Sequence, residues 1–171
     1  EKVVVMTAPP LGAGPAGEGE STDCRRLEEF KDRIRRLVLV GDMTAAPAWV
    51  ARLEALKATL AHGDRIVFIP SVADPVLRAC YRAADLFVSA SEHEGFCVPL
   101  VEAMAMDVPV LAYAATAVPA TMDGGGVLYE DKRPGHVAAL MDAIVSDPAL
   151  QDAIVEHQRA AVLRLQAKDF G

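Results

Sequence analysis

The segment from Leu86 to Met106, LFVSASEHEGFCVPLVEAMAM, concentrates the residues whose types and spacing could do chemistry. Glu94 and Glu102 stand eight positions apart, and Gly95 follows the first of them. An apolar run ends near Ser89, a polar loop follows, and a helix is predicted to begin around Val98 or Pro99. A loop that leaves a strand and feeds a helix N-terminus offers unpaired N–H groups and the positive end of a helix dipole, an anion site. Gly95 lets the backbone come close to a ligand. Glu102 falls in the first turns of that helix, where its carboxylate can accept hydrogen bonds from a diol, and Glu94 stands at the mouth of the same crevice. Spacing alone does not carry that reading. In a chain with 24 acidic residues, Glu102 could simply favour a helix N-terminus, and Glu92 and Glu94 could be solvated loop charges.

Other reactive residues point to less. Cys97 near His93 suggests a thiol nucleophile, and a helix N-terminus would lower the thiol pKa, yet catalysis would need a specific base geometry. A plain loop explains both residues more simply. His62, His136 and His157 are isolated and read as surface or capping residues. Gly124-Gly125-Gly126 looks like a phosphate loop, but no Lys-Ser/Thr follows, so a turn before a weak strand is the better reading. Cys24, Cys80 and Cys97 are odd in number and lack CxxC grouping, which suggests neither disulfides nor a zinc site and suits a reducing cytoplasm. No metal site is expected.

Short β-branched runs alternate with helical patterns and would position that segment. Strands are predicted at Val3–Met6, Leu37–Val40, Arg65–Ile69, Leu86–Ser89 and Val108–Ala112, with a weaker one at Gly126–Leu128. They read as continuous apolar runs, as expected where both faces of a parallel sheet are covered. Helical spacing joins Trp49, Leu53, Leu56 and Leu60, then Leu77, Cys80, Tyr81 and Ala84. Asp74-Pro75 and Asp147-Pro148 each place an N-cap acceptor before a proline at the first helical position. Two further helices follow, one through Val137, Leu140, Met141 and Ile144, the other through Ile154, Val155, Gln158, Val162 and Leu165. The expected fold class is α/β: a doubly wound, Rossmann-like parallel sheet of about six strands with helices on both faces. Its ligand site should lie at the carboxyl ends of the strands, near the topological switch point. The Pro-, Gly- and Ala-rich stretch Thr7–Asp23 reads as a flexible loop. Arg25, Arg26, Arg33, Arg35 and Arg36, interleaved with Glu28, Glu29 and Asp32, read as the solvated face of a helix.

Composition bounds the function. The chain has 171 residues, 52% of them hydrophobic and 24% charged, with a formal net charge of −7. That length suits one domain with a core of its own. The negative balance argues against a nucleic-acid or anionic-membrane surface. The uncharged stretch from Val108 to Met122, which no other exceeds in length, is too short for a membrane span. A chain that opens on Glu1 and enters the Val3–Met6 run at once, without a signal peptide, reads as a soluble, cytoplasmic domain (residues 1–171) cut from a larger protein.

Taken together, four stretches resemble the carboxyl-terminal domain of the retaining, nucleotide-sugar-dependent glycosyltransferases of group 1, which have the two-domain GT-B fold. They are RLVLVGD (36–42), DRIVFIPSV (64–72), LRACYRAADLFVSASEHEGFCVPLVEAMAMDVPVLAY (77–113) and AVPATMDGGGVLYED (117–131). Glu94 and Glu102, with seven residues between them, match the family's paired glutamates. The resemblance implies that Glu102 binds the ribose hydroxyls of a UDP- or GDP-sugar and that Glu94 is the catalytic-site carboxylate lying against the donor sugar. It implies that backbone N–H groups of Gly95, Phe96 and Cys97 face sugar hydroxyls, and that those around Leu100 and Val101 face the diphosphate. Ser71-Val72 would contact the base. The implied chemistry is metal-independent, cofactor-free transfer of a hexosyl unit to a glycan or lipid-linked acceptor, with retained configuration, through an oxocarbenium-like transition state.

Four departures stand against the family pattern. Thr7–Asp23 holds no Lys or Arg, where members usually carry two cations for the diphosphate. Cys97 and Asp107 stand where glycine is common, and Ala120 where a glutamate is frequent. The implied partners are a nucleotide-sugar donor and an amino-terminal acceptor-binding domain. Neither nucleic acid nor a transmembrane segment is expected, while the full protein retains scope for peripheral membrane contact. Two other functions fit the same motifs: a nucleotide-sugar-binding module without turnover, and a sugar-nucleotide epimerase on the same fold.

Overall fold

The computed structural model describes the backbone of residues 3–7 and, with their side chains, residues 36–41, 44 and 47–167. The expected loop over 8–23 and the residues Cys24 to Arg35 lie outside the described residues. Six strands form one sheet in the order β3-β2-β1-β4-β5-β6: β1 (Val3–Thr7), β2 (Arg36–Val40), β3 (Ile66–Ile69), β4 (Leu86–Ser89), β5 (Val110–Tyr113) and β6 (Val127–Tyr129). Every pairing is parallel, from Val4 against Leu37 to Tyr113 against Tyr129. The helices are α1 (Pro47–Thr59), α2 (Asp74–Arg82), α3 (Val98–Ala105), α4 (Val118–Met122), α5 (Pro134–Ser146) and α6 (Pro148–Ala167). This is the doubly wound α/β sheet that the alternating pattern predicts. Because the winding reverses between β1 and β4, the carboxyl ends of those neighbours define the switch point.

The continuous apolar strands are explained by two cores. On one face Phe87, Val110 and Ala112 pack with Tyr81, Leu100, Met104, Val118 and Met122. On the other, Leu86, Val88 and Leu111 pack with Tyr129, Met141, Ile144 and Ile154. Successive residues of β4 thus serve opposite cores, and all four are buried. Full burial of a Leu, Ile or Phe contributes about 1.5–3 kcal/mol, so this central strand is the best-anchored platform available for a site.

Several boundaries differ from expectation for local reasons. Arg65 belongs to a short 3₁₀ turn (Gly63–Arg65), leaving β3 to start at Ile66. Pro109 has no N–H for the ladder, and β5 starts at Val110 instead of Val108. The last strand runs one residue later than predicted, β1 extends to Thr7, and Arg36 opens β2 instead of lying on a helical face. Ala73 caps α2, with Asp74 inside the first turn, whereas Asp147 does cap α6 by accepting from Ala149 (2.9 Å) and Leu150 (3.1 Å) N–H groups. Leu60 and Ala84 fall just past the ends of their helices. Helix α4 was not anticipated, being too short to show a period. The triple glycine forms the expected turn, with φ +80° at Gly124 and +117° at Gly126.

Candidate functional site

The site is built where β4 ends. Residues 90–97 run from Ser89 into α3, and each polar backbone group that the sheet no longer serves needs a partner. Neighbouring elements supply them. The Tyr129 hydroxyl donates to the Ser89 carbonyl (3.2 Å), and the Lys132 ammonium donates to the Ala90 carbonyl (2.8 Å). Lys132 also pairs with the Glu92 carboxylate at 2.7 Å, lowering the Glu92 pKa, and lies 4.2 Å from the centroid of the Tyr113 ring. Thr116, in the loop between β5 and α4, uses one hydroxyl twice: it accepts from the Glu94 N–H and donates to the Glu94 carbonyl, each at 3.0 Å.

The loop enters α3 through Cys97, whose φ of 56° is left-handed and whose carbonyl accepts from the Leu100 N–H at 3.0 Å. The glycine that is common here in the family would adopt that conformation freely, and so would one at Asp107, where φ is 58°. Cys97 is buried, and burial, reinforced by the neighbouring Glu94 charge, pushes its thiol up to about 11. A thiol raised in this way lacks the lowered pKa of an activated nucleophile, and His93 is exposed.

Glu102 lies on the second turn of α3, half-buried. Its Oε2 accepts from the Tyr81 hydroxyl at 3.1 Å. Tyr81 is the buried residue of α2, 1% exposed, with its ring 5.8 Å from that of Phe87. Burial first, and then the Glu102 charge, raise the tyrosine pKa far above its usual range, so the hydroxyl stays a donor to the carboxylate, with the Pro99 carbonyl a longer second acceptor at 3.4 Å. One bond leaves a carboxylate with further acceptor sites for other donors.

The remaining predicted residues are dispersed along the same carboxyl edge. Gly95 is exposed, and a Cβ added there would meet nothing within 4 Å, so the protein's own packing does not demand glycine at that point. Phe96 is 41% exposed beside it. Leu100 is wholly buried with its N–H directed to Cys97, and Val101 is half-buried. Ser71 and Val72 follow β3, the first exposed and the second half-buried. Ala120 is exposed on α4. Tyr81, Thr116 and Lys132 were missed by sequence reading. Tyr81 was assigned to an apolar stripe, and the other two act across 22 and 40 positions, which no local pattern reveals. Lys132 had one signal, a cation three residues past the carboxyl end of β6. Ser91 adds a buried hydroxyl with no hydrogen-bond partner among the described residues.

Comparison with known proteins agrees with this architecture. The glycosyl transferases group 1 family matches residues 24–161. A D-inositol 3-phosphate glycosyltransferase of Xylanimonas cellulosilytica is 30% identical over 149 residues, covering 86% of this chain and 36% of that protein. The chain thus spans about a third of the length of such relatives. Sucrose-phosphate synthase from Thermosynechococcus elongatus is 25% identical and superposes with a TM-score of 0.72 over 96% of this chain and 41% of that one. The C-terminal domain of a glycosyl transferase group 1 family protein from Francisella tularensis has the same fold, with 24% identity and a TM-score of 0.70 over 95% of this chain and 85% of that one. With its sheet order, its paired glutamates and a family match over most of its length, the chain belongs to the group 1 glycosyl transferases.

Proposed function

We propose that this chain is the donor-binding half of a cytoplasmic, retaining, metal-independent glycosyltransferase that moves a hexosyl unit from a UDP- or GDP-sugar to a glycan or lipid-linked acceptor. The observation that carries the reading is the Glu102 carboxylate, held by the buried Tyr81 hydroxyl in the opening turns of α3, beside the switch point of a parallel sheet. A ribose diol needs a fixed acceptor of that kind. Glu94 takes the side of the donor sugar, with Gly95, Phe96 and Cys97 along the sugar, Leu100 and Val101 near the diphosphate, and Ser71-Val72 near the base. Open space over Gly95 supports this placement. On this reading the acceptor side lies outside these 171 residues, so the chain alone is expected to transfer no sugar.

A second reading, a nucleotide-sugar-binding module without turnover, is favoured by the absence of Lys and Arg from residues 7–23. Both readings share the ribose assignment, and calorimetric titration with UDP and GDP tests it. Loss of hydrogen bonds to a charged group costs about 1.5–3 kcal/mol. Glu102→Ala should therefore weaken nucleotide binding roughly ten- to hundredfold. Unchanged affinity in a folded variant would sink the assignment. Sugar transfer by the full protein, formed by adding the amino-terminal domain, separates the enzyme from the module.

A further inference from the structure

We propose that Thr116 and Lys132 are positioning residues that set the Glu94 segment from the β5–β6 side, and that they thereby decide how strongly the site distinguishes a nucleotide-sugar from the bare nucleotide. The inference rests on the reading of Glu94 as the sugar-facing carboxylate and goes beyond it, since neither residue belongs to the paired-glutamate motif.

Glu94 lies midway along an eight-residue segment, 90–97, between β4 and α3. A carboxylate on such a loop is only as well placed as the main chain beneath it. Here one hydroxyl closes both polar groups of the Glu94 backbone, N–H and carbonyl, at 3.0 Å each. A hydroxyl has one proton and two lone pairs, so this single side chain can serve both. Thr116 reaches that position with φ at 49°, a left-handed backbone that β-branched residues rarely adopt. Its neighbours fix it in turn, for the Ala114 N–H donates to the Tyr129 carbonyl (2.8 Å) and the Val118 N–H to the Ala115 carbonyl (3.0 Å). The segment is thus tied to the rigid end of β5.

Lys132 makes the second tie, four residues before Glu94. Its ammonium holds the Ala90 carbonyl at 2.8 Å while resting over Tyr113. The accompanying ion pair joins the half-buried Lys132 to an exposed Glu92 and contributes little by itself. The carbonyl bond is the part that fixes the loop. With Ala90 and Glu94 each anchored, the intervening turn has little freedom, and the Glu94 side chain starts from a defined main-chain position before any ligand arrives. Such pre-organisation spares the ordering that a bound sugar would otherwise have to impose. The nucleotide moiety, assigned to Glu102 and α3, does not depend on it.

The test is titration of the folded 171-residue chain with UDP, UDP-glucose, GDP and GDP-mannose, the base that binds then being used for the variants. Thr116→Val keeps the shape and deletes the hydroxyl. It should weaken the nucleotide-sugar roughly two- to tenfold, the range of one or two ordinary hydrogen bonds, while the bare diphosphate stays within about twofold. Thr116→Ser should restore the wild-type ratio. Should Thr116→Val fold poorly, Lys132→Met carries the test alone, with the same selective loss expected, rescue by Lys132→Arg, and no effect from Glu92→Gln. Equal weakening of sugar and diphosphate, or no change in either, overturns the positioning role while leaving the donor site intact. A wild-type chain that binds none of the four ligands overturns the donor reading and this inference together.

Discussion

Gln158 offers the most exacting check on how the sheet is held. Its side chain is fully buried on α6, where Oε1 accepts from the Val110 N–H at 2.9 Å and Nε2 donates to the Val108 carbonyl at 2.8 Å. Both groups flank Pro109, at the point where the chain enters β5 and no ladder partner is yet available. Gln158→Leu fills much of the same volume but leaves one donor and one acceptor orphaned in the core. Each orphan costs about 1–3 kcal/mol, and the apolar side chain returns part of that, for a net loss of about 2–4 kcal/mol. For a chain of this size the loss lowers Tm by roughly 5–15 °C, read by thermal circular dichroism. Gln158→Glu makes the case sharper. It keeps the acceptor for Val110 but sets an oxygen against the Val108 carbonyl unless the carboxyl is protonated. Burial raises such a pKa in the folded state, so the contribution is retained at acid pH and lost as pH rises. The deficit of Gln158→Glu against wild type should therefore grow between about pH 4 and pH 8. Because the bridge sits at the amino end of β5, away from Thr116, nucleotide affinity of either folded variant should match wild type. A Tm within about 2 °C of wild type for Gln158→Leu, or a pH-independent deficit for Gln158→Glu, would refute the reasoning.

Three further outcomes are expected. Arg159 donates twice to Asp107, Nε to Oδ1 and Nη2 to Oδ2 at 2.8 Å each, and those hydrogen bonds hold the Asp107 carboxyl below its usual range. A lowered folded pKa contributes stability above the unfolded value near 3.9 and loses it as pH falls, so Arg159→Ala should lower Tm slightly at pH 7 and leave it unchanged near pH 2; equal loss at both would contradict the pairing. At Gly126, φ is +117° and an added Cβ would lie 2.5 Å from Met122 Cε and 3.0 Å from the Val110 carbonyl, so Gly126→Ala should lose about 2–4 kcal/mol in urea unfolding. Peptide mapping after brief thiol labelling at pH 7.5 should find Cys97, with its thiol pushed up to about 11, modified at least about tenfold more slowly than the half-buried Cys80; fast labelling of Cys97 would revive the nucleophile reading.

Sequence by itself determined the sheet class and the location of the candidate site. Uninterrupted apolar runs at β2, β4 and β5 signal strands covered on both faces, because a strand solvated on one side would have to alternate. The Glu94–Glu102 segment was legible for the same local reason: a strand, a polar loop and a helix start are each encoded within a few residues. Proline marked the start of α6 correctly and the start of β5 only to within two positions, since Pro109 interrupts hydrogen bonding without interrupting the apolar pattern. Tertiary structure alone decided what holds the two glutamates. Tyr81 reaches Glu102 across 21 positions, Thr116 reaches the Glu94 backbone across 22, and Lys132 reaches Ala90 across 42. Their spacing follows from which strands lie side by side in the order β1-β4-β5-β6, and a hydrogen bond depends on distance in space. Periodicity records which face a residue presents; it carries no record of the partner that the fold sets against it.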